Sequence, residues 1–198
     1  MAGIGFREQP DAHAARRSEC DGDGKNAYIW YISSTQINIL TPPDPVSGPV
    51  QVVVNNNGIQ SAGFTAQAQS TSPSFFVING GPYVLGQHSD YSYVGPTSLF
   101  PGQSTPAKPS ETIILYANGF GGVPVVSGSS MQSGDLRPLP VIKIGGVAAN
   151  VTFAALVAPG EYVFAVQVPP GMPDGDQTIT ATYAGVSTQL GTLITIHN

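Results

Sequence analysis

The sequence predicts an all-β fold: two tandem copies of one β-sandwich module, the first shortened at its N-terminus. Three observations carry this reading. Residues 42–61 (PPDPVSGPVQVVVNNNGIQS) align without a gap with residues 169–188 (PPGMPDGDQTITATYAGVST), at an offset of 127 (169 − 42). Pro42 meets Pro169, Pro43 meets Pro170, Gly48 meets Gly175 and Gly58 meets Gly185. Such a repeat, with strand patterns and no helical ones, means two copies of one β unit. Second, the apolar segments are rich in Val, Ile, Thr and Tyr, residues that fit a pleated surface. Third, 24 Gly and 18 Pro give roughly twice the usual share of turn formers. With 41% hydrophobic and 10% charged residues, the chain is not a disordered one. The glycines have no three-residue period, which excludes collagen.

The elements follow in order. Residues 1–23 are dense in charge, and Glu19-Cys20-Asp21-Gly22 has almost no strand propensity. These residues are expected to carry no strand. One reading is a solvated, disordered tail. Another, compatible with it, is a segment foreign to the fold, from a misplaced start or a shifted reading frame. Residues 24–69 form the shortened module, with strands at 25–31, 36–40, 50–54 and 59–68. Asn57-Gly58 is a strong type I′ hairpin signal. Residues 70–110 are a connector too long for a plain linker, expected to pack against one or both modules; a short buried strand is read at 75–78.

Residues 111–198 form the complete module. Residues 111–117 read as a strand followed by a Gly-rich turn. Strands at 141–144 and 147–153 flank Gly145-Gly146, a turn able to take positive φ at both positions. Residues 162–168 alternate, with Tyr162, Phe164, Val166 and Val168 on one face. Residues 178–183 alternate more cleanly, with Ile179, Ala181 and Tyr183 inward. Tyr162, Phe164, Val166, Ile179, Ala181 and Tyr183 are the expected core. Six or seven short strands with turns every 8–12 residues describe a β-sandwich.

Charge and cysteine usage narrow the function. Residues 1–25 contain four basic and five acidic side chains; the remaining 173 residues contain three basic (Lys108, Arg137, Lys143) and seven acidic. Three cations over the folded part exclude a nucleic-acid footprint. Cys20 is the only cysteine, so no internal disulfide framework exists. No run of 18 apolar residues occurs, so no membrane insertion is expected. Residues 1–24 lack the apolar segment of an export signal; if the protein is exported, its address lies outside this chain.

Few residues suggest chemistry. Asp21-Gly-Asp-Gly24 and Asp174-Gly-Asp176 combine acidic ligands with glycine, as calcium loops do. The position twelve along from Asp21 is Ile32, where a calcium loop needs Glu, so both read first as turns. Asp174 and Asp176 remain the better metal candidates. His88-Ser89-Asp90 contains triad residue types, but adjacency in sequence is not triad geometry, and no Gly-x-Ser-x-Gly elbow occurs. No catalytic residue and no cofactor are expected. Tyr83, Tyr91, Tyr93 and Phe100 cluster in the connector. They either stack on sugar rings or anchor a protein partner, or they cover the module faces.

Several strings carry a resemblance: YISSTQINILTPP (31–43), VVVNNNGIQSAGFT (52–65), SPSFF (72–76), TPAKPSETIILYANGFG (105–121) and YVFAVQVPPGMPDGDQTITATYAGVST (162–188). Together they resemble a C-terminal domain family of acidobacterial (Solibacter-type) secreted proteins, over about residues 24–198. The halves also resemble IPT/TIG immunoglobulin-like domains, whose V-P-P-G-x-P-x-G turn stands here at 168–175. Ser34 and Ser110 depart from the family's usual proline and glycine. The larger departure is that family members continue upstream with the first strands of module one. The resemblance implies tandem immunoglobulin-like sandwiches within a larger extracellular or cell-surface bacterial protein, and no enzymatic activity. The expected function is a non-enzymatic structural or interaction module with a protein or glycan partner at the cell surface. A carbohydrate-binding module, or an accessory domain of an exported enzyme whose catalytic part lies elsewhere, are the alternatives. The missing strands of module one also predict an open edge and self-association through residues 26–40.

Overall fold

The computed structural model describes residues 18–22, 25–42, 47–121 and 133–198. Among these residues the regular structure is almost entirely β, broken by one 3-10 turn at Ile78–Gly80. The chain divides into two compact units: the described residues up to Gln69 form the first, and those from Ser70 onward form the second.

The first unit contains β1 (Ser18–Gly22), β2 (Lys25–Ile32), β3 (Ile37–Leu40), β4 (Gly48–Asn56), β5 (Ile59–Gln60) and β6 (Phe64–Ala68). They form one antiparallel sheet in the order β3-β2-β1-β4-β5, with β6 also on β4. The Asn57-Gly58 turn has φ of 52° and 86°, as a type I′ hairpin requires. The expectation that residues 1–23 carry no strand is wrong. β1 pairs Cys20 with Ala27 on one side and with Val54 on the other. A strand ladder on both sides satisfies its backbone groups, and that outweighs the poor intrinsic propensity of Glu-Cys-Asp-Gly. The rest of the expected tail lies outside the described residues.

The second unit begins with four short strands, β7 (Ser74–Phe75), β8 (Gly86–Gln87), β9 (Tyr93–Val94) and β10 (Ser104–Thr105). It continues with β11 (Thr112–Asn118), β12 (Gly134–Asp135), β13 (Val141–Ile144), β14 (Val147–Ala148), β15 (Asn150–Ala158), β16 (Glu161–Gln167), β17 (Gly175–Tyr183), β18 (Val186–Ser187) and β19 (Leu193–Ile196). One sheet runs β10-β9-β8-β11-β16-β15-β12, with β7 also on β11; the other runs β14-β13-β17-β18, with β19 also on β17. Their inward faces enclose the core. Ile113, Leu115, Phe164 and Val166 come from the larger sheet, and Ile142, Ile144, Ile179 and Ala181 from the smaller; all are fully buried. The six residues expected as core are all buried.

Phe120 was not among those six, yet it lies at the centre. Its ring meets Phe164 edge-on at 4.8 Å and also contacts Tyr162 and Tyr183. Gly119 beside it has φ of +72°, and a Cβ there would strike the Ser72 carbonyl oxygen. That close approach lets Ser72 N–H donate to the Gly119 carbonyl at 2.7 Å. The stretch 70–110 is therefore built into the second unit: it supplies four strands and buries Phe75, Val84, Val94 and Ala107 in the core. The strand expected at 75–78 is shorter and earlier, since Ile78 already opens the 3-10 turn.

The two units repeat each other to the level of individual residue pairs. Tyr28 opposite Leu40 and Ile29 opposite Ile39 correspond to Asn150 opposite Gln167 and Val151 opposite Val166. A register shift follows at the same place in each hairpin, at Trp30 and at Thr152. Tyr31 opposite Asn38 and Ile32 opposite Ile37 then correspond to Phe153 opposite Ala165 and Ala154 opposite Phe164. Cys20 opposite Val54 likewise corresponds to Ile142 opposite Ala181. Burial does not repeat. No described side chain of the first unit is buried, whereas every core residue among those described lies in the second.

Candidate functional site

The outward face of the larger sheet in the second unit brings several candidate side chains together. Alternation along β11 sends Ile113, Leu115 and Ala117 inward and leaves Ile114 and Tyr116 outward. Residues directly opposite one another across neighbouring strands share a face. One such row crosses five strands: Tyr93 on β9, Gln87 on β8, Ile114 on β11, Ala165 on β16 and Phe153 on β15. At about 4.8 Å per strand, the row spans roughly 19 Å. Tyr116, Val163 and Ala155 form the next row.

Hydrogen bonds fix the polar part of this face. The Tyr116 hydroxyl donates to Gln87 Oε1 at 2.6 Å, and Gln87 Nε2 donates to the Tyr91 carbonyl at 3.1 Å. Gln87 is thus held between a strand and the turn that leads to β9. Tyr91 sits in that turn at φ of +68° with its side chain 79% exposed. Positive φ is unusual for a bulky residue. Two contacts shape the turn: Tyr91 N–H donates to the His88 carbonyl, and Ser92 donates through both its N–H and its hydroxyl to Asp90. Those donors hold the Asp90 carboxyl below its usual range. The Tyr93 and Phe100 rings lie 5.1 Å apart, tilted by 44°. Burial raises the Tyr116 phenol above its usual value, and the nearby Glu161, Tyr91 and Tyr93 add to the effect. Burial also raises the Glu161 carboxyl.

Of the four aromatic candidates, Tyr91, Tyr93 and Phe100 belong to this face. Tyr83 is engaged elsewhere: its hydroxyl donates to Asp176 Oδ2 at 3.0 Å, which raises its phenol. Gln87, Ile114, Tyr116 and Phe153 were not among the candidates. For Ile114 and Tyr116 the signal was the alternation along β11, which marks outward positions once inward ones are assigned.

The two carboxylates proposed for a metal are occupied by protein donors. Asp176 Oδ1 accepts from the Thr195 hydroxyl at 2.6 Å. Asp174 Oδ1 accepts from Asn198 N–H and Nδ2, and Oδ2 lies 2.9 Å from His197 Nδ1. These contacts lower the Asp174 carboxyl, with the Asn198 backbone N–H the largest cause. Among the described residues no group of three His, Cys, Asp or Glu side chains is placed to hold a metal ion. His88 turns away from any triad with Asp90. Its Nδ1 lies 2.6 Å from Glu111 Oε1 and its Nε2 3.1 Å from the Thr105 carbonyl oxygen, while Glu111 Oε2 accepts from Lys108 N–H. The imidazole thereby ties the 88–92 turn to the approach to β11. Asp21 lies in β1, opposite Asn26, and Asp23 and Gly24 lie outside the described residues.

Residues 12–78 match the IPT/TIG domain family. The matched stretch is about a third of the chain. It begins ahead of β1 and includes all six strands of the first unit, in agreement with the place of β1 inside the sheet. No curated protein matches the chain. Among solved structures, one similar chain is the Bacteroides ovatus mixed-linkage glucan utilization locus SGBP-B in complex with a mixed-linkage heptasaccharide. The identity is 12% and the TM-score 0.35, over 91% of this chain and 36% of that one. At that TM-score the likeness carries no weight for fold or function. This chain spans about a third of that protein's length. No helix among the described residues is long and apolar enough to cross a membrane.

Proposed function

We propose that this chain is a non-enzymatic interaction module of a larger secreted or cell-surface protein, and that the outward face of β9, β8, β11, β16 and β15 is its binding surface. The observation that carries the reading is the five-strand row of Tyr93, Gln87, Ile114, Ala165 and Phe153, flanked by the exposed Tyr91. The core does not need these side chains, and three of the five are large apolar or aromatic groups at the surface. Rings and a fixed amide on a rigid sheet lose little entropy on binding. The side chains that first suggested chemistry have structural partners: Asp90 shapes a turn, Glu111 holds His88, and Asp174 and Asp176 fasten the last strand and the C-terminal residues. The exterior location rests on the family resemblance described above and on the IPT/TIG match.

One observation favours a carbohydrate over a protein partner. The row has no cation and no carboxylate, but it pairs aromatic rings with an amide whose orientation is set by Tyr116 and the Tyr91 carbonyl. Neutral sugars present an apolar ring face and hydroxyl edges that such a surface matches. Affinity electrophoresis through gels containing defined neutral glucans, xylans and mannans tests this. Retardation that disappears in a Tyr91→Ala, Tyr93→Ala double variant with unchanged circular dichroism supports a glycan surface. If none of these polymers slows the chain, the partner is a protein. If the chain shortens one of them catalytically, the non-enzymatic reading fails.

A further inference from the structure

We infer that Asn57 is a site of spontaneous deamidation, converted to aspartate and isoaspartate in the folded chain ahead of Asn79 and Asn118, because the β4–β5 hairpin opens at little cost. This concerns the first unit alone and rests on none of the binding face proposed above.

Asparagine followed by glycine is the reactive arrangement, because glycine has no Cβ to hinder its own attacking nitrogen. The dipeptide occurs three times, at 57–58, 79–80 and 118–119. The Gly nitrogen bonds to the Asn Cγ, the Cγ–Nδ2 bond breaks, and ammonia leaves with the amide proton. Water then opens the cyclic imide at either carbonyl. One product is aspartate; the other is isoaspartate, whose main chain runs through Cβ and no longer fits a type I′ turn.

The structure separates the three sites. Gly119 is closed in: a Cβ there would strike the Ser72 carbonyl oxygen, and Ser72 N–H donates to its carbonyl at 2.7 Å. Asn79 lies in an open loop whose two ends are fixed. Ile78 is buried and donates to the Tyr83 carbonyl at 2.9 Å, and Val84 is buried and donates to the Leu193 carbonyl at 3.0 Å. Asn57 and Gly58 are exposed, and a Cβ on Gly58 would meet nothing within 4 Å. One bond holds the nucleophile back: Gly58 N–H donates to Asn55 Oδ1 at 2.9 Å. The strand beyond it, β5, is two residues long and exposed throughout.

The internal repeat supplies a control. In the second unit the same hairpin has Ala184 in the place of Asn57, and its backbone ties match. Ser61 N–H donates to the Val54 carbonyl at 2.8 Å, and Thr188 N–H to that of Ala181 at 2.9 Å. Val54 N–H donates to the Ser61 hydroxyl and Ala181 N–H to the Thr188 hydroxyl, both at 3.0 Å. Burial is what differs. Ala181, Tyr183 and Thr188 are buried, whereas Val54 is half-buried and Asn56 and Ser61 are exposed. Closing the imide requires the turn to leave its type I′ conformation, and local opening costs least where few apolar contacts are buried.

The test incubates the full chain at mildly alkaline pH and maps its peptides by mass spectrometry, with isoaspartate labelled by an isoaspartate methyltransferase. Conversion at Asn57 is expected to run about tenfold faster than at Asn79 or Asn118. In urea that unfolds the chain, the three rates are expected to converge. The Ala184→Asn variant carries the same dipeptide in the equivalent turn of the second unit. Position 184 is expected to convert about tenfold more slowly than Asn57 in the same molecule. Three outcomes overturn the inference. One is an Asn57 that stays intact, or that lags Asn79 or Asn118. Another is a lead for Asn57 that persists in urea, which assigns the difference to neighbouring sequence. The third is equal conversion at 57 and 184 in the variant, which removes the opening of the first unit as the cause.

Discussion

Ala184 and Asn57 occupy the same place in two copies of one hairpin. Ala184 precedes Gly185 at φ of +48°, and Asn57 precedes Gly58 at +52°. A type I′ turn needs positive φ at both central residues, which Asn tolerates and Ala does not. Ala184→Asn is expected to stabilise the second unit by about 0.5–1 kcal/mol, measured by urea unfolding. No gain would mean the turn relaxes away from this conformation. Glu161 gives a prediction in pH. Burial raises its carboxyl, so the folded state binds this proton more tightly than the unfolded state. The ionised side chain therefore destabilises the fold at neutral pH, and the penalty vanishes as pH falls below the unfolded carboxyl's range. Glu161→Gln is expected to raise the melting temperature at pH 7 and to lose that advantage in acid. An advantage that is the same at both pH values would assign the effect to packing instead.

At the level of elements, β16 and β17 were legible because a half-buried strand writes its two faces into alternate residues. Tyr162, Phe164 and Val166 alternate in β16, as do Ile179, Ala181 and Tyr183 in β17, and all six are buried. Phe164→Ala is expected to cost about 3–5 kcal/mol, because the Phe120 ring packs edge-on against it and cannot follow it. A loss below about 1 kcal/mol would show that the Phe120 cluster collapses into the space. β1 was not legible. Its residues have no alternation, and it exists because β2 and β4 offer a ladder on either side. The signal that could have found it was the repeat itself, since Glu19–Gly22 aligned with the strand β13. The alignment is the better guide to β1, because pairing on both sides decides this strand and local propensity does not. The binding face was half legible: Tyr91, Tyr93 and Phe100 stood out as aromatics in a loop-rich stretch. Gln87 and Phe153 joined them only through strand pairing, Gln87 opposite Ile114 and Phe153 opposite Ala165.

For the whole molecule, the uneven burial predicts uneven stability. Apolar burial is the main favourable term in folding, and among the described residues the buried core hydrophobics all lie from Phe75 onward. Unfolding in urea is expected to show two transitions, with the first unit lost at lower denaturant. Native-state hydrogen exchange should protect amides of β11, β16 and β17 most and those of β2 and β3 least. A single cooperative transition, with uniform protection, would require the first unit to have a buried core of its own. Self-association through residues 26–40, expected from the sequence, becomes in the structure a question about one strand. Within residues 26–40, and among the described residues, the strand that ends the sheet is Ile37–Leu40. Tyr31 is 45% exposed against 42% for its counterpart Phe153, so that position does not distinguish the units, whereas Ile32 against Ala154 does.

The sequence by itself determined the class, the turns at Asn57-Gly58 and Gly145-Gly146, and the inward faces of β16 and β17. All of these are local or periodic properties, set by which side chains tolerate positive φ and which alternate along a pleat. Only the tertiary structure decided what became of residues 70–110 and of β1. Both depend on partners far away in the chain: Val84 donates to the Leu193 carbonyl, Ala107 donates to that of Thr195, and Cys20 lies opposite Val54. A backbone group carries no mark of the distant strand it will meet, so the same weak local sequence can be a tail or the centre of a sheet.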